Sequence, residues 1–256
     1  YYGGTGDDQG YSAVTNAAGN MYMSGQTTSS SAIASGGFQN TDGGGSNDAF
    51  LVKMNAAGNR LWATYYGGTG DDQGYSAVTN AAGNVYLAGR TTSTTGIASG
   101  GFQNTFGGGF SDAFLVKFSG TGGKQWGTYY GGTGTNFGYS AAADLFGNVY
   151  LAGRANSATG IASGGFQNTF GGGAYDAFLV KFSATGARLW ATYYGGAGED
   201  YGYSAVTDAV GNVYLTGNTA SATSIASGGH QNIYGGSGGS YGDAYLVKFN
   251  SAGVRQ

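Results

Sequence analysis

The 256-residue sequence contains no cysteine and no proline. Without cysteine, no disulfide framework and no thiolate metal centre can form. Glycine supplies 55 residues, but without proline or a strict three-residue period the chain is not collagen. Charge is scarce as well. Asp, Glu, Lys and Arg make up 9% of the chain, against about 25% in an ordinary soluble domain. The ten basic residues are spread out and the net charge is −3, so the concentrated basic face that nucleic-acid binding needs is missing. Histidine occurs once, at His230, which excludes a multi-histidine metal site. No apolar run approaches the roughly 18 residues of a membrane-spanning helix, and no membrane insertion is expected. Aromatic residues, by contrast, are plentiful: 21 Tyr, 14 Phe and 3 Trp. So many rings with so little charge oppose intrinsic disorder.

The rings recur at a fixed period. Tyr-Tyr-Gly-Gly begins at Tyr1, Tyr65, Tyr129 and Tyr193, a step of 64 residues, and the first twenty residues return unchanged from Tyr65 to Asn84. Such self-similarity marks a repeat architecture. The units are 1–64, 65–128, 129–192 and 193–256, with a strand shared across each boundary. The fourth unit carries three extra residues in its GGSGGSYGDAY stretch. Each unit reads as four strands. In the second, GYSAV from Gly74 is followed by a turn at Asn80–Asn84 and by NVYLAGR. DAFLVKF from Asp112 and KQWGTYYGG from Lys124 complete it. Nowhere do apolar residues recur with helical spacing over three turns.

Alternation assigns the faces of these strands. Phe114, Val116 and Phe118 share one face of DAFLVKF, while Ala113 and Leu115 share the other, with Lys117 at its end. Both faces are apolar, as in a sheet covered on two sides. The expected fold is therefore all-β: a β-propeller of four-stranded antiparallel blades, one blade per 64-residue repeat. Phe50, Phe114, Phe178 and Tyr245 hold one repeated position, expected between adjacent blades. A parallel β-helix is the competing solenoid, but its coils are usually shorter and lack these hairpins.

The order W-x-T-Y-Y-G-G, GYS, GNVYLAG, GGFQNT and GG-DAFLVKF resembles the SBBP-type β-propeller repeat. The resemblance covers the chain four times over. It implies propeller blades in a large secreted or surface protein of bacteria, and this wording is similar to versions in Bacteroidota, whose members often use the type IX secretion route. The family commonly has Phe-Pro-Thr after the second strand, where Ile97-Ala98-Ser99 stands here. The family brings no general catalytic residues. The chain starts and stops within a strand, so it is expected either to close a ring through its termini or, preferentially, to be a window on a longer array.

Candidate chemistry is sparse. Gly3–Asp8, Gly67–Asp72 and Gly195–Asp200 fit the start of the GGxGxD calcium motif, which makes Asp7, Asp8, Asp71, Asp72, Glu199 and Asp200 calcium candidates. The third unit breaks the pattern with Thr135-Asn136, and the nine-residue period of that motif is absent. These stretches are expected to be Gly-rich turns with solvated carboxylates, and no cofactor is expected. Asp48, Asp112, Asp176 and Asp243 precede the third strand of every unit, where an acid accepts backbone N–H bonds. Lys53, Lys117, Lys181 and Lys248 follow five residues later and are expected to keep a sheet edge soluble. Trp62, Trp126 and Trp190 are further structural positions. His230 replaces Phe38, Phe102 and Phe166 as a packing variant. The tyrosine pairs, such as Tyr65-Tyr66, put one ring on each strand face, for packing or for stacking on sugars.

Two functions follow as expectations. The first is a non-enzymatic extracellular module, structural or adhesive, that associates with further copies of its own repeat. The alternative is a carbohydrate-binding propeller with one shallow site per blade, where Asn and Gln would read hydroxyls.

Overall fold

The computed structural model describes residues 1–236 and 242–256; the extra segment of the fourth unit falls at 237–241, outside the described residues. The fold is all-β, with fifteen named strands and no helix among the described residues. The first sheet contains β1 (Asp8–Thr15), β2 (Met21–Thr27), β3 (Asp48–Met54) and β4 (Arg60–Tyr66). The second contains β5 (Asp72–Thr79), β6 (Val85–Thr91), β7 (Asp112–Phe118) and β8 (Lys124–Tyr130). The third contains β9 (Asn136–Ala143), β10 (Val149–Ala155), β11 (Asp176–Phe182) and β12 (Arg188–Tyr194). The fourth has three strands, β13 (Asp200–Thr207), β14 (Val213–Thr219) and β15 (Asp243–Phe249), where four were expected. Arg255 bridges Phe249 where a fourth would begin. Each sheet is an antiparallel meander in chain order, and the 64-residue boundaries fall inside β4, β8 and β12.

Short-range chemistry sets the hairpins. The turn between β5 and β6 needs a left-handed residue, and Gly83 supplies it at φ +77°. The Asn80 side chain accepts the Asn84 N–H at 3.0 Å and closes the loop. A bulge between Gly74 and Ser76 adds local twist. The long segment between β6 and β7 folds back onto the outer strand, with Ser99 bridging Gly127 and Gln103 bridging Tyr129. Thr128 Oγ1 accepts the Gln103 N–H at 2.8 Å.

The sheets pack in series, each on the next. One layer joins Tyr22, Leu51, Trp62 and Tyr66 of the first sheet to Leu87, Phe114, Val116 and Phe118 of the second. The same positions build the layers between second and third sheets and between third and fourth. Phe114, Phe178 and Tyr245 each lie in such a layer. Phe50 departs from that expectation, because it packs on the outer side of the first sheet with Ile33, Val52 and Tyr2. No apolar layer joins the first sheet to the fourth among the described residues. The arrangement is an open stack rather than a ring closed through the termini.

Polar bonds lock each layer. Trp62 Nε1 and Lys53 Nζ both donate to the Gly120 carbonyl in the next sheet's turn, at 3.1 and 2.8 Å. Trp126 and Lys117 repeat this on Ala184, and Trp190 and Lys181 on Ser251. Lys117 and Lys181 are buried, so these lysines are not edge-solubilising groups but ties between sheets. Their aliphatic stems cover apolar surface while the head reaches a carbonyl.

The tyrosine pairs divide the same labour. Tyr129 donates to Ser93 in its own sheet's loop at 2.9 Å, whereas Tyr66 donates to Ile97 in the next sheet's loop at 2.5 Å. Both rings of every pair from Tyr65 onward are buried. The Phe38, Phe102 and Phe166 position also differs from a core slot. Arg188 lies over Phe102 at 4.3 Å and Arg255 over Phe166 at 5.0 Å, so these half-exposed rings make cation–π contacts on the rim between sheets. His230 at the fourth position is exposed.

Candidate functional site

Two places concentrate polar chemistry. The first is the row of junction loops where consecutive units meet. Asp48, Asp112 and Asp176 each accept a backbone N–H through Oδ2, from Gly43, Gly107 and Gly171 at 2.6, 2.6 and 2.5 Å. Asp243 does the same with Gly235 at 2.6 Å. Beside each of the first three stands a side chain from the following unit. Asp72 faces Asp48, Asn136 faces Asp112 and Asp200 faces Asp176. The neighbours are themselves well held: Asp72 Oδ2 accepts Gly68 N–H at 2.9 Å and Ser93 Oγ at 2.7 Å. Thr91 donates to its other oxygen. Asp200 repeats all three bonds with Gly196, Ser221 and Thr219.

Of the acids in the Gly-rich turns, Asp72 and Asp200 are not solvated as expected but buried, as are the N–H acceptors Asp48, Asp112 and Asp176. Burial disfavours the charged form. It pushes Asp48 up to about 8, helped by the neighbouring Asp42 carboxyl, and Asp176 up to about 7. Asp112 rises to about 6, burial again leading while Gly107 and Asn136 pull the other way. Asp72 and Asp200 are raised by burial too.

The six calcium candidates are not gathered into one site. Asp71 turns away from Asp72 to pair with Arg90, and Glu199 accepts the Tyr201 hydroxyl at 2.8 Å. Asp8 accepts hydrogen bonds from Gly4 N–H, Thr27 and Ser29, and Asp7 lies at the surface. Among the described residues no three of His, Asp and Glu converge on a common point.

The second place is a ladder along the first strands of the four sheets. Tyr11, Tyr75, Tyr139 and Tyr203 follow one another with ring centroids 5.6, 5.8 and 5.6 Å apart. Their strands are tied across the sheets, for Ser12, Ser76 and Ser140 hydroxyls accept the N–H of Ala77, Ala141 and Ala205 at 3.1–3.2 Å. Arg154 sits among Phe137, Tyr175 and Tyr201 with its guanidinium 4.5, 4.3 and 5.0 Å from their centroids. Arg90 donates to Gln73 and Tyr75 besides its pairing with Asp71. The sequence pointed to the Tyr65-Tyr66 pairs as candidate exposed rings and missed this ladder. Its signal was the Tyr of GYS, which recurs once in every unit.

The site's neighbourhood agrees with a comparison of known families. Residues 189–223 match the SBBP beta-propeller repeat. That segment runs from β12 through the third junction and β13 to the segment after β14, and the internal repetition carries the same wording into the other three units. No curated protein matches the chain. Each junction is built from two successive units. A repeat must bury its apolar faces and its loop carboxylates against its neighbour.

Proposed function

We propose that this chain is a non-enzymatic structural module, a spacer or filament element outside a bacterial cell, whose sheet faces accept further copies of the same repeat. One observation carries the reading. Leu51, Leu115 and Leu179 are fully buried by the sheet that follows each, whereas Leu246, at the same position of the fourth sheet, is 73% exposed. Around it Val206 and Tyr203 are exposed as well. On the opposite end, Met21 and Met23 of the first sheet are partly open, where Leu87 and Leu151 are closed. The three internal layers show what fits such a face: the first sheet of another repeat, in the same chain or in a second one. A contact of this head-to-tail kind that does not close makes a filament. Sedimentation velocity is expected to show concentration-dependent association of the chain, abolished by Leu246→Arg. A single monomeric species from low to high concentration would reject the reading.

The tyrosine ladder favours a second reading, a glycan surface. Partly exposed rings offer apolar faces for stacking, and Gln73 and Arg90 stand beside them. On a glycan array the chain would then bind, and Tyr75→Ala would lose binding without losing its fold. Binding unaffected by that change would remove the ladder from the account.

A further inference from the structure

We propose that the first and third junctions each bind one divalent cation of the calcium class, between Asp48 and Asp72 and between Asp176 and Asp200, and that the second junction binds none. The reasoning starts from what each junction lacks. Asp48 Oδ1 and Asp176 Oδ1 are buried and have no hydrogen-bond partner, although Asp48 is only 2% exposed and Asp176 wholly buried. Both lie beside a carboxylate of the next unit. A methyl group at Gly195 would lie 2.6 Å from Asp176 Oδ1 and 2.7 Å from Asp200 Oδ2, so the two oxygens converge on one glycine, whose missing side chain leaves them room. Gly67 stands likewise between Asp48 Oδ1 and Asp72 Oδ2.

The second junction is the control that the sequence itself provides. There Asn136 replaces the acid, and its Nδ2 donates to Asp112 Oδ1 at 3.2 Å. One bond of the acid is kept: the Asn136 Oδ1 accepts Ser157 Oγ at 2.9 Å, as Asp72 and Asp200 accept Ser93 and Ser221, while the threonine that donates to each acid is replaced by Ala155. Where an amide donor sits, the facing carboxylate is satisfied; where an acid sits, two buried carboxylates face each other with nothing positive between them. The ion pairs among the described residues are Arg90–Asp71 and Lys181–Asp144, so no lysine or arginine neutralises either pair. Like charges this close cannot both ionise when buried unless a proton or a cation joins them. Hard oxygens of opposing carboxylates suit calcium, with water completing its shell. In the first junction Asp42 also lies beside Asp48, but the three acids do not gather into one cluster. The third junction has Phe170 at that position, so the pair alone must suffice.

The test counts ions. Metal-free chain, dialysed against labelled calcium at pH 7.5, is expected to bind two per chain. The double variant Asp72→Asn with Asp200→Asn should bind none yet keep its β circular dichroism, because Asn136 shows that the amide fits. Asn136→Asp should raise the count to three. Zero calcium bound by the native chain, or two still bound by the double variant, would overturn the proposal. Should the double variant misfold, the count of three in Asn136→Asp decides, and a count that stays at two rejects the assignment. Association through Leu246 is measured separately, so either result leaves the other standing.

Discussion

Replacing Phe114 with alanine is expected to destabilise the chain by about 3–5 kcal/mol, the range for removing a buried aromatic ring and leaving a cavity. The ring is fully buried between the first and second sheets. It lies 5.3 Å from the Tyr66 ring. It also rests on Gly89, where a methyl group would come 2.8 Å from Phe114 Cε1. The glycine and the phenylalanine are therefore one fitted pair across β6 and β7, joined in register as partners. Neighbours held by two sheets cannot collapse into the space, so the cavity persists. The midpoint of guanidinium unfolding reads the effect. Phe110→Ala, at a ring 66% exposed, serves as the control and should stay within about 0.5 kcal/mol of the native chain. An unchanged midpoint for Phe114→Ala would show that the layer does not hold the sheets together.

The second large effect concerns pH. In the presence of chelator, the melting temperature is expected to rise as pH is lowered from 8 towards 4. The sign follows from linkage. Asp48, Asp176 and Asp112 have native values of about 8, 7 and 6, all above the ordinary 3.8 of an unfolded chain. Across that window the native state holds protons that the unfolded state has released. Their contribution is complete below about pH 4 and is lost as pH climbs through 6, 7 and 8 in turn. A cation between the carboxylates would replace the proton, so added calcium should flatten the profile. Scanning calorimetry at pH 5 and pH 8 measures this, and a melting temperature higher at pH 8 in chelator would contradict it.

The fold was legible because its signals are local and repeated. The 64-residue period, the Asn80–Asn84 turn and the two-faced alternation of Ala113 to Phe118 lead to stacked sheets without any knowledge of the neighbours. Roles that depend on the adjoining unit were not legible. Lys117 looks like a solubilising strand end, yet it reaches a turn carbonyl 67 residues away. Tyr65 and Tyr66 look alike, but their hydroxyls bind loops of different units. Asp71 and Asp72 are adjacent in sequence and opposite in fate, one partly buried and paired with arginine, the other fully buried against the preceding unit. The substitution of Asn136 for an acid, which in the sequence only breaks a calcium pattern, gains its meaning when Asp112 is seen beside it.

The most direct test of self-complementary stacking is a cross-linking experiment, made simple by the absence of native cysteine. Leu179 of the third sheet shares its layer with Leu215 of the fourth. By repetition, Leu246 should meet Met23 of another copy. Chains carrying Leu246→Cys and chains carrying Met23→Cys are mixed and oxidised. The account predicts disulfide-linked pairs that contain one chain of each kind. Pairs formed only between identical variants, or no pairs at all, would contradict it.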